Sequence, residues 1–301
     1  MNLLKKIYSN VSNISSYYKI NRKEIQELKM LVAKKLVIHS AKASSILDAE
    51  FKVFSQWGDD GIIQYLINNI SITNKVFVEF GVENYSEANT RFLLMNNNWS
   101  GLVIDGSEEN IEYVKNDDIY WKYNLTAKHS FVTAENINDL IKNENISGNI
   151  GILHIDIDGN DYWIWKTINV VDADIVIVEY NSVFGSKRPI TTPYDASFIR
   201  TKAHYSNLYY GTSLTSIYDL AKEKGYVFVG CNSAGNNAYF VKKEKAVNLK
   251  ELSVDEGYVQ SQFKESRNSN GQLTFLNGEK RLNEIKGLSV FNTRTNALEL
   301  I

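Results

Sequence analysis

The chain has 301 residues, of which 44% are hydrophobic and 23% charged, a composition typical of folded globular proteins and outside the range of disordered chains. Lys and Arg number 33 against 35 Asp and Glu, so no general basic field exists for a nucleic-acid backbone, and we expect no nucleic-acid partner. The single cysteine, Cys231, excludes an internal disulfide framework and a Cys-x-x-Cys site. With no long apolar run, these features favour a cytoplasmic location.

Residues 1–50 are predicted to form a basic helical arm. Residues 1–42 contain nine Lys or Arg and two Glu, which gives this arm a charge of +7 and the rest of the chain −9. Between Arg22 and Ile38, apolar residues recur at helical spacing. They are Ile25, Leu28, Leu31, Val32 and Leu36. This stripe is expected either to pack on its own domain or a partner chain, as in a homo-oligomer, or to contact an anionic membrane surface peripherally.

Residues 51–245 alternate short β-branched runs with helical stretches, which is typical of a parallel sheet with crossover helices. The predicted strands are 75–81, 101–105, 119–124, 150–156, 174–180, 226–230 and 237–241. The predicted helices are 87–97, 107–115, 135–143, 161–167 and 213–224. A short turn joins the last two strands, so these should be antiparallel. Residues 246–301 are predicted to be a C-terminal extension of mixed structure.

Acidic residues stand at the ends of four predicted parallel strands. They are Glu79, Asp105, Asp156 with Asp158, and Glu179. In an open parallel sheet, ligands bind beyond the carboxyl ends of the strands. Because unpaired buried carboxylates are costly, several of them converging on one crevice indicate a polar or cationic ligand.

Asp105 and Gly81 favour a nucleoside ligand. An acid after the second strand is placed to accept hydrogen bonds from both ribose hydroxyls, and a glycine after the first strand allows a ligand close to the backbone. The dinucleotide fingerprint would require glycines where Glu83 and Ser86 stand. A nicotinamide oxidoreductase is therefore disfavoured, whereas a nucleoside carrying ammonium and sulfonium groups suits the carboxylates.

Three motifs resemble class I S-adenosylmethionine-dependent methyltransferases: VFVEFG at 76–81, LVID at 102–105 and HIDIDG at 154–159. The last, with Asp161 two residues on, is similar to the FkbM-type O-methyltransferases, which are often associated with sugars and surface polysaccharides. The resemblance covers residues 51–245 and implies an α/β, Rossmann-like, seven-stranded class I methyltransferase sheet, mostly parallel with one antiparallel strand. It also implies S-adenosylmethionine as cofactor. The chain departs from the family pattern at Glu83, where family members usually have a second glycine.

The resemblance also implies roles for particular residues. Glu79 and Gly81 would line the methionine moiety, Asp105 would hold the ribose, and Asp156 would face the methyl-transfer crevice. The full implied cofactor set is Gln56, Glu79, Gly81, Asp105, Gly106, Ser107 and Asp156. His154 is expected to be a buried histidine with its hydrogen bonds satisfied, without a catalytic role.

Methyl transfer to a hydroxyl requires orientation and a base, for which Asp158, Asp161 and His204 are candidates. A Mg²⁺ ion is a further possibility, with Asp158 (or Asp156), Glu179 and Asn181 as hard oxygen ligands. Acceptor recognition is expected from the loop at 185–210, which contains both prolines of the chain.

The leading functional prediction is a methyltransferase acting on a hydroxyl of a sugar or glycan precursor, such as a nucleotide sugar. Two alternatives stay open. One is methylation of a nitrogen or of another small polar metabolite, and the other is a non-catalytic module that binds S-adenosylmethionine and assembles with a partner. DNA base methylation is disfavoured because DIDG at 156–159 replaces the expected Asn/Asp-Pro-Pro-aromatic motif.

Overall fold

The computed structural model describes the backbone of residues 2–301 and the side chains of residues 20, 21 and 23–301, so the predicted charges at Lys5, Lys6, Lys19 and Arg22 lie outside the described side chains. The helices are α1 (Asn2–Ser40), α2 (Asp59–Asn69), α3 (Arg91–Asn97), α4 (Glu108–Asn116), α5 (Asp118–Lys122), α6 (Ile137–Asn143), α7 (Asp161–Thr167), α8 (Arg200–Ala203), α9 (Leu214–Glu223), α10 (Val254–Gly257) and α11 (Glu279–Glu284). The strands are β1 (Val76–Phe80), β2 (Ser100–Asp105), β3 (Leu125–His129), β4 (Gly148–Ile155), β5 (Val171–Glu179), β6 (Ile190–Thr191), β7 (Tyr226–Cys231), β8 (Asn237–Lys242), β9 (Ser289–Asn292) and β10 (Ala297–Leu300). Among the described residues, no helix combines the length and apolar character that crossing a membrane requires.

Seven strands form the central sheet, in the order β3-β2-β1-β4-β5-β8-β7. Strand β8 is antiparallel to both of its neighbours, and the other neighbouring strands in this sheet pair in parallel. The predicted fold class, a Rossmann-like sheet with one antiparallel strand, is therefore confirmed. The strand order reverses between β1 and β4, which places a crevice beyond their carboxyl ends.

Both faces of this sheet are buried. Along β1, Phe77 packs into the core on one face and Val78 into the core on the other, and Ile152 and Leu153 of β4 alternate in the same way. Successive side chains of a strand point to opposite faces, so a continuous apolar run is what a sheet covered on both sides requires. The predicted strands at 101–105, 150–156 and 174–180 were recognisable for this reason.

The predicted third strand at 119–124 is wrong. Residues Asp118–Lys122 form helix α5, and strand β3 follows at Leu125–His129. The carboxylate of Asp117 accepts a hydrogen bond from the Ile119 N–H, and Lys122 pairs with Asp118 one helical turn away. This cap and ion pair favour a helical turn over the strand propensity of the aromatic and β-branched residues.

The predicted apolar stripe of α1 does not contact the body of the molecule. Ile25, Leu28, Leu31 and Val32 are between 50% and 63% exposed, and Leu36 is partly buried. Another face of the helix makes the contact: Ala33, with Met30 and Val37, packs in a cluster that contains Val53, Phe54 and Phe92. The hydroxyl of Ser40 also donates to the Gly61 carbonyl. The chain therefore leaves a second apolar face of α1 uncovered.

The segment between β5 and α9 joins the C-terminal region in a second, small sheet. Strand β6 pairs with β9, and β9 pairs with β10, in antiparallel fashion. Arg188 forms an ion pair with Glu299 and donates to the Leu300 carbonyl. The C-terminal strands thereby hold the segment after β5 next to the carboxyl ends of the central strands.

Candidate functional site

A cavity of about 440 Å³ lies beyond the carboxyl ends of β1, β2, β4 and β5. Among the described residues, eight of those predicted for the site line it: Gln56, Glu79, Gly81, Asp105, Gly106, Asp156, Asp158 and Glu179. Ser107, Asp161, Asn181 and His204 are not part of the lining that the structure describes. The volume lies in the range of pockets that hold a small molecule or a cofactor.

Glu79 is buried at the base of the cavity and receives hydrogen bonds from three residues. His154 Nδ1 lies 2.9 Å from its Oε1, the backbone N–H of Asn89 donates at 2.9 Å and that of Thr90 at 3.1 Å, and the Thr90 hydroxyl also donates. The N–H groups of Asn89 and Thr90 bind this carboxylate in the loop before α3. The helix therefore begins at Arg91, later than the predicted start at residue 87. Glu79 therefore holds the loop after β1 in addition to lining the cavity.

Glu79 and His154 form a buried ion pair. Burial alone would raise the pKa of Glu79, but the bond and charge of His154, with the donors of Thr90 and Asn89, outweigh it, and the pKa lies below its ordinary value. Burial would likewise lower the pKa of His154, yet the bond and charge of Glu79 raise it. His154 is buried, as expected, and serves as the countercharge of Glu79.

Gly81 is required by the protein's own backbone. Its φ is +68°, and a Cβ at this position would lie 1.7 Å from the carbonyl oxygen of Asp156. The sequence predicts that this glycine makes room for a ligand. The structure adds a different cause, since the glycine lets the ends of β1 and β4 approach each other.

The carboxylate of Asp105 is fixed at the cavity wall. Its Oδ2 accepts from the Glu83 N–H at 2.7 Å, and its Oδ1 accepts from the Ser107 N–H at 2.8 Å and from Asn110 Nδ2 at 3.2 Å. Glu83 has a φ of 47°, in the left-handed region that glycine adopts most easily. Glu83 therefore adopts a glycine-like backbone conformation although it is not a glycine.

Three carboxylates meet at the other end of the cavity. Oxygens of Asp156, Asp158 and Glu179 lie within 4.8 Å of one another. Burial and the charge of Asp158 raise the pKa of Asp156 to about 8. Burial, with the charges of Asp156 and Asp158, also raises the pKa of Glu179 well above its ordinary value. This end of the cavity can therefore hold protons or a cation near neutral pH.

Arg200 supplies positive charge to this acidic cluster. Its Nη1 donates to Asp158 Oδ1 at 2.5 Å, and its guanidinium lies 3.7 Å from the ring centroid of Tyr210. Arg200 and Phe198 both line the cavity from the 185–210 loop. The sequence pointed to this loop for acceptor recognition but gave no signal for either residue, since loop geometry follows no spacing rule.

Two asparagines add unsatisfied polar groups to the lining. Asn160 Oδ1 and Asn237 Oδ1 are buried and have no hydrogen-bond partner among the described residues. Both residues line the cavity. A buried acceptor without a donor costs about 1–3 kcal/mol, so a ligand with hydroxyl or amine donors would be stabilised here.

Asp161 and His204, two of the predicted bases, make local hydrogen bonds. The carboxylate of Asp161 accepts from the N–H groups of Ile157 at 2.9 Å and Gly159 at 3.0 Å, which fixes the turn after β4. Burial raises the pKa of Asp161 to about 6. His204 Nδ1 lies 2.7 Å from the Ser206 hydroxyl, and burial lowers its pKa. Neither side chain lines the cavity as described.

Asn181 and Ser107 also have structural partners. Asn181 Nδ2 donates to the carbonyls of Leu208 and Tyr210, both at 2.9 Å, and its Oδ1 accepts from the Val183 N–H. It therefore anchors the 185–210 loop, and it is not part of the group formed by Asp156, Asp158 and Glu179. The hydroxyl of Ser107 caps α4, and its N–H binds Asp105.

No protein-family model and no curated protein matches the sequence. Solved structures are similar in fold. A putative caffeoyl-CoA O-methyltransferase from Staphylococcus aureus is 17% identical, with 70% of this chain and 99% of that chain covered, at a TM-score of 0.40. An S-adenosylmethionine-dependent methyltransferase from Clostridium acetobutylicum is 11% identical, with 61% and 90% covered, at 0.39. TrmK from M. capricolum, solved with S-adenosyl-homocysteine, is 12% identical, with 67% and 76% covered, at 0.37. Similarity at this level concerns the fold and carries no argument about the reaction.

The Glu79–His154 pair gives a pH-dependent stability. Because the pKa of His154 is raised, protonated His154 stabilises the fold fully at pH values below the ordinary histidine value of 6.5. This stabilisation is lost as pH rises through the raised pKa. Because the pKa of Glu79 is lowered, ionised Glu79 stabilises the fold fully at pH values above its ordinary value of 4.5. This stabilisation is lost as pH falls through the lowered pKa. We therefore expect His154→Gln to reduce the free energy of unfolding most between pH 4.5 and pH 6.5 and least at alkaline pH, as measured by urea denaturation. The control is His129→Gln at an exposed histidine, and a pH-independent difference between wild type and His154→Gln would contradict the pair.

Gly81→Ala should destabilise the protein by about 2 kcal/mol or more, because it combines a strained φ with a clash against backbone. Gly106→Ala is the matched control, since a Cβ there would meet only the Phe131 ring at an ordinary 3.5 Å. Thermal unfolding of both variants measures the difference. Equal melting temperatures would show that the β1 and β4 ends do not need this glycine.

Proposed function

We propose that this chain is an S-adenosylmethionine-dependent methyltransferase that methylates a hydroxyl of a sugar or glycan precursor. The observation that carries the proposal is one continuous cavity that connects Asp105, at the end of β2, with the carboxylates of Asp156, Asp158 and Glu179. The first end suits the ribose of a nucleoside, and the second suits an acceptor that must lose a proton. The sulfonium of the cofactor would supply an electrophilic methyl group.

The ribose would bind at Asp105. Its two oxygens are held by N–H donors from both sides, so the carboxylate is oriented before a ligand arrives. Within the described part of the chain, Oδ2 accepts only the Glu83 N–H, so it has a further lone pair for a ribose hydroxyl, and hydrogen bonds to charged acceptors are the stronger kind. The methionine end would then lie toward Gly81 and Glu79, near Gln56 of the segment before α2.

The acceptor hydroxyl would lie between the acidic cluster and the 185–210 loop. Asp158 is paired with Arg200, and Asp161 and His204 have other partners, so Asp156 becomes the preferred proton acceptor. A pKa raised to about 8 is close to the pH at which a base works best. The unpartnered oxygens of Asn160 and Asn237 would accept hydrogen bonds from further hydroxyls, which supports a sugar-like acceptor.

Mg²⁺ stays within the proposal as an assisting ion. Carboxylate oxygens are its preferred ligands, and Asp156, Asp158 and Glu179 bring them close enough for one cation to bridge. These three residues would hold it, and Asp156 would then be a ligand, in place of the predicted Asn181, and not the base. The ion would orient the acceptor and lower the pKa of its hydroxyl.

Asp105→Ala should weaken binding of S-adenosylhomocysteine by about 10- to 100-fold, because hydrogen bonding of the ribose to a charged acceptor is lost. Isothermal calorimetry measures this for S-adenosylmethionine and S-adenosylhomocysteine. Glu109→Ala removes the same charge from the exposed side of α4 and should bind like the wild type. If the wild-type protein binds neither ligand in the micromolar range, the methyltransferase proposal fails.

Asp156→Asn should lower kcat by about 100-fold or more while changing affinity for S-adenosylhomocysteine by less than about threefold, because only proton removal is affected. The assay measures methyl transfer to nucleotide sugars and to amine-containing metabolites, each with and without Mg²⁺. Turnover of amines only would favour the N-methyltransferase alternative. Binding without any turnover would favour the non-catalytic assembly module, and an unchanged kcat would remove Asp156 as the base.

A further inference from the structure

The exposed apolar residues of α1 form a stripe along one side of the helix. It consists of Ile20, Ile25, Leu28, Leu31, Val32 and Ile38, each at least 50% exposed. At about 100° per residue, this stripe lies on the side of the helix roughly opposite to Met30, Ala33 and Val37, which pack on the body. A contiguous apolar surface of this kind marks an interaction site.

Two opposite charges interrupt the stripe. Glu24 and Lys35 lie on the same face as Leu28 and Leu31, about three helical turns apart. Both are exposed, and neither has a hydrogen bond or ion pair among the described residues. One charge near each end of an apolar stripe is a pattern that fixes the register of a second helix packed against that stripe.

We propose that the stripe is the dimer interface between two copies of this chain, with the two α1 helices antiparallel. A twofold axis between residues 29 and 30 places Glu24 of one copy level with Lys35 of the other, and Leu28 level with Leu31. The same surface therefore meets itself through reciprocal Leu28–Leu31 contacts and two reciprocal ion pairs, as a twofold interface requires. Because the body packs on the opposite side of α1, the two bodies lie outside the helix pair and do not obstruct it.

An anionic membrane is the other occupant that this basic helix could have. It fits less well, because Glu24 within the stripe and the neighbouring Glu27 would face a surface of like charge. A second copy instead turns Glu24 into a favourable contact. The dimer does not depend on the proposed methyl transfer, and it can be tested on the full chain without any substrate.

Sedimentation velocity and light scattering should give about twice the chain mass of 34.3 kDa for the wild type at micromolar concentration. Glu24→Lys alone and Lys35→Glu alone should each weaken self-association by at least about tenfold, since each places like charges together in a partly buried seam. The variant carrying both substitutions should dimerise within about threefold of the wild type. Mixing the two single variants should also restore a dimer, because their charges are opposite at both contact points.

Lys34→Glu is the matched control. It changes the net charge as Lys35→Glu does, but residue 34 lies about 100° away around the helix, so its dimer should persist. Circular dichroism should show equal helix content for all variants, because these positions are exposed. A monomeric wild type, or single variants that mixing does not rescue, would overturn the proposal. Binding of a monomer to phosphatidylglycerol vesicles and not to phosphatidylcholine vesicles would assign the stripe to a membrane.

Discussion

The buried pair of Glu79 and His154 determines the geometry of the cavity. It joins the ends of β1 and β4, the two strands between which the order of the sheet reverses. A lone carboxylate at that depth would be strongly destabilising, so Glu79 also draws the N–H groups of Asn89 and Thr90 over the strand end. This folds the loop after Gly81 back toward β2, where the Glu83 N–H reaches Asp105. The orientation of Asp105 therefore depends on an ion pair between the two strands that follow β2 in the sheet order.

The cavity contains carboxylates of two electrostatic kinds. Glu79 and Asp105 are surrounded by N–H donors and are fixed in place by the protein. Asp156 and Glu179 have like charges as neighbours, and the pKa of each is raised. A carboxylate that N–H donors hold in place can orient a ligand, whereas a carboxylate with a raised pKa can exchange a proton with a ligand. This division supports placing the cofactor at one end and the reacting hydroxyl at the other.

The sequence predicted the parallel strands and the acids at their ends because both follow from local rules of periodicity and connection. It failed at residues 119–124, where the Asp117 cap and the Asp118–Lys122 pair outweigh strand propensity. The sequence also could not distinguish the environment of Asp158 from that of Asp161. Asp158 lines the cavity, whereas Asp161 accepts hydrogen bonds from the turn that precedes it. That distinction depends on which N–H groups a carboxylate faces once the turn has formed, and spacing does not encode it.

The acceptor end depends on parts of the chain that are distant in sequence. Arg200 bonds to Asp158 and also lies 3.8 Å from Glu265, whose other oxygen accepts from Asn207 of the same loop. Strand β6 of this segment is held in turn by β9, close to the C-terminus. The proposed acceptor end of the cavity therefore combines Asp156, Asp158 and Glu179 with Arg200, whose other contact is made by Glu265. Changes in the C-terminal region are expected to move Arg200 relative to these carboxylates, whereas the hydrogen bonds of Asp105 come from Glu83, Ser107 and Asn110.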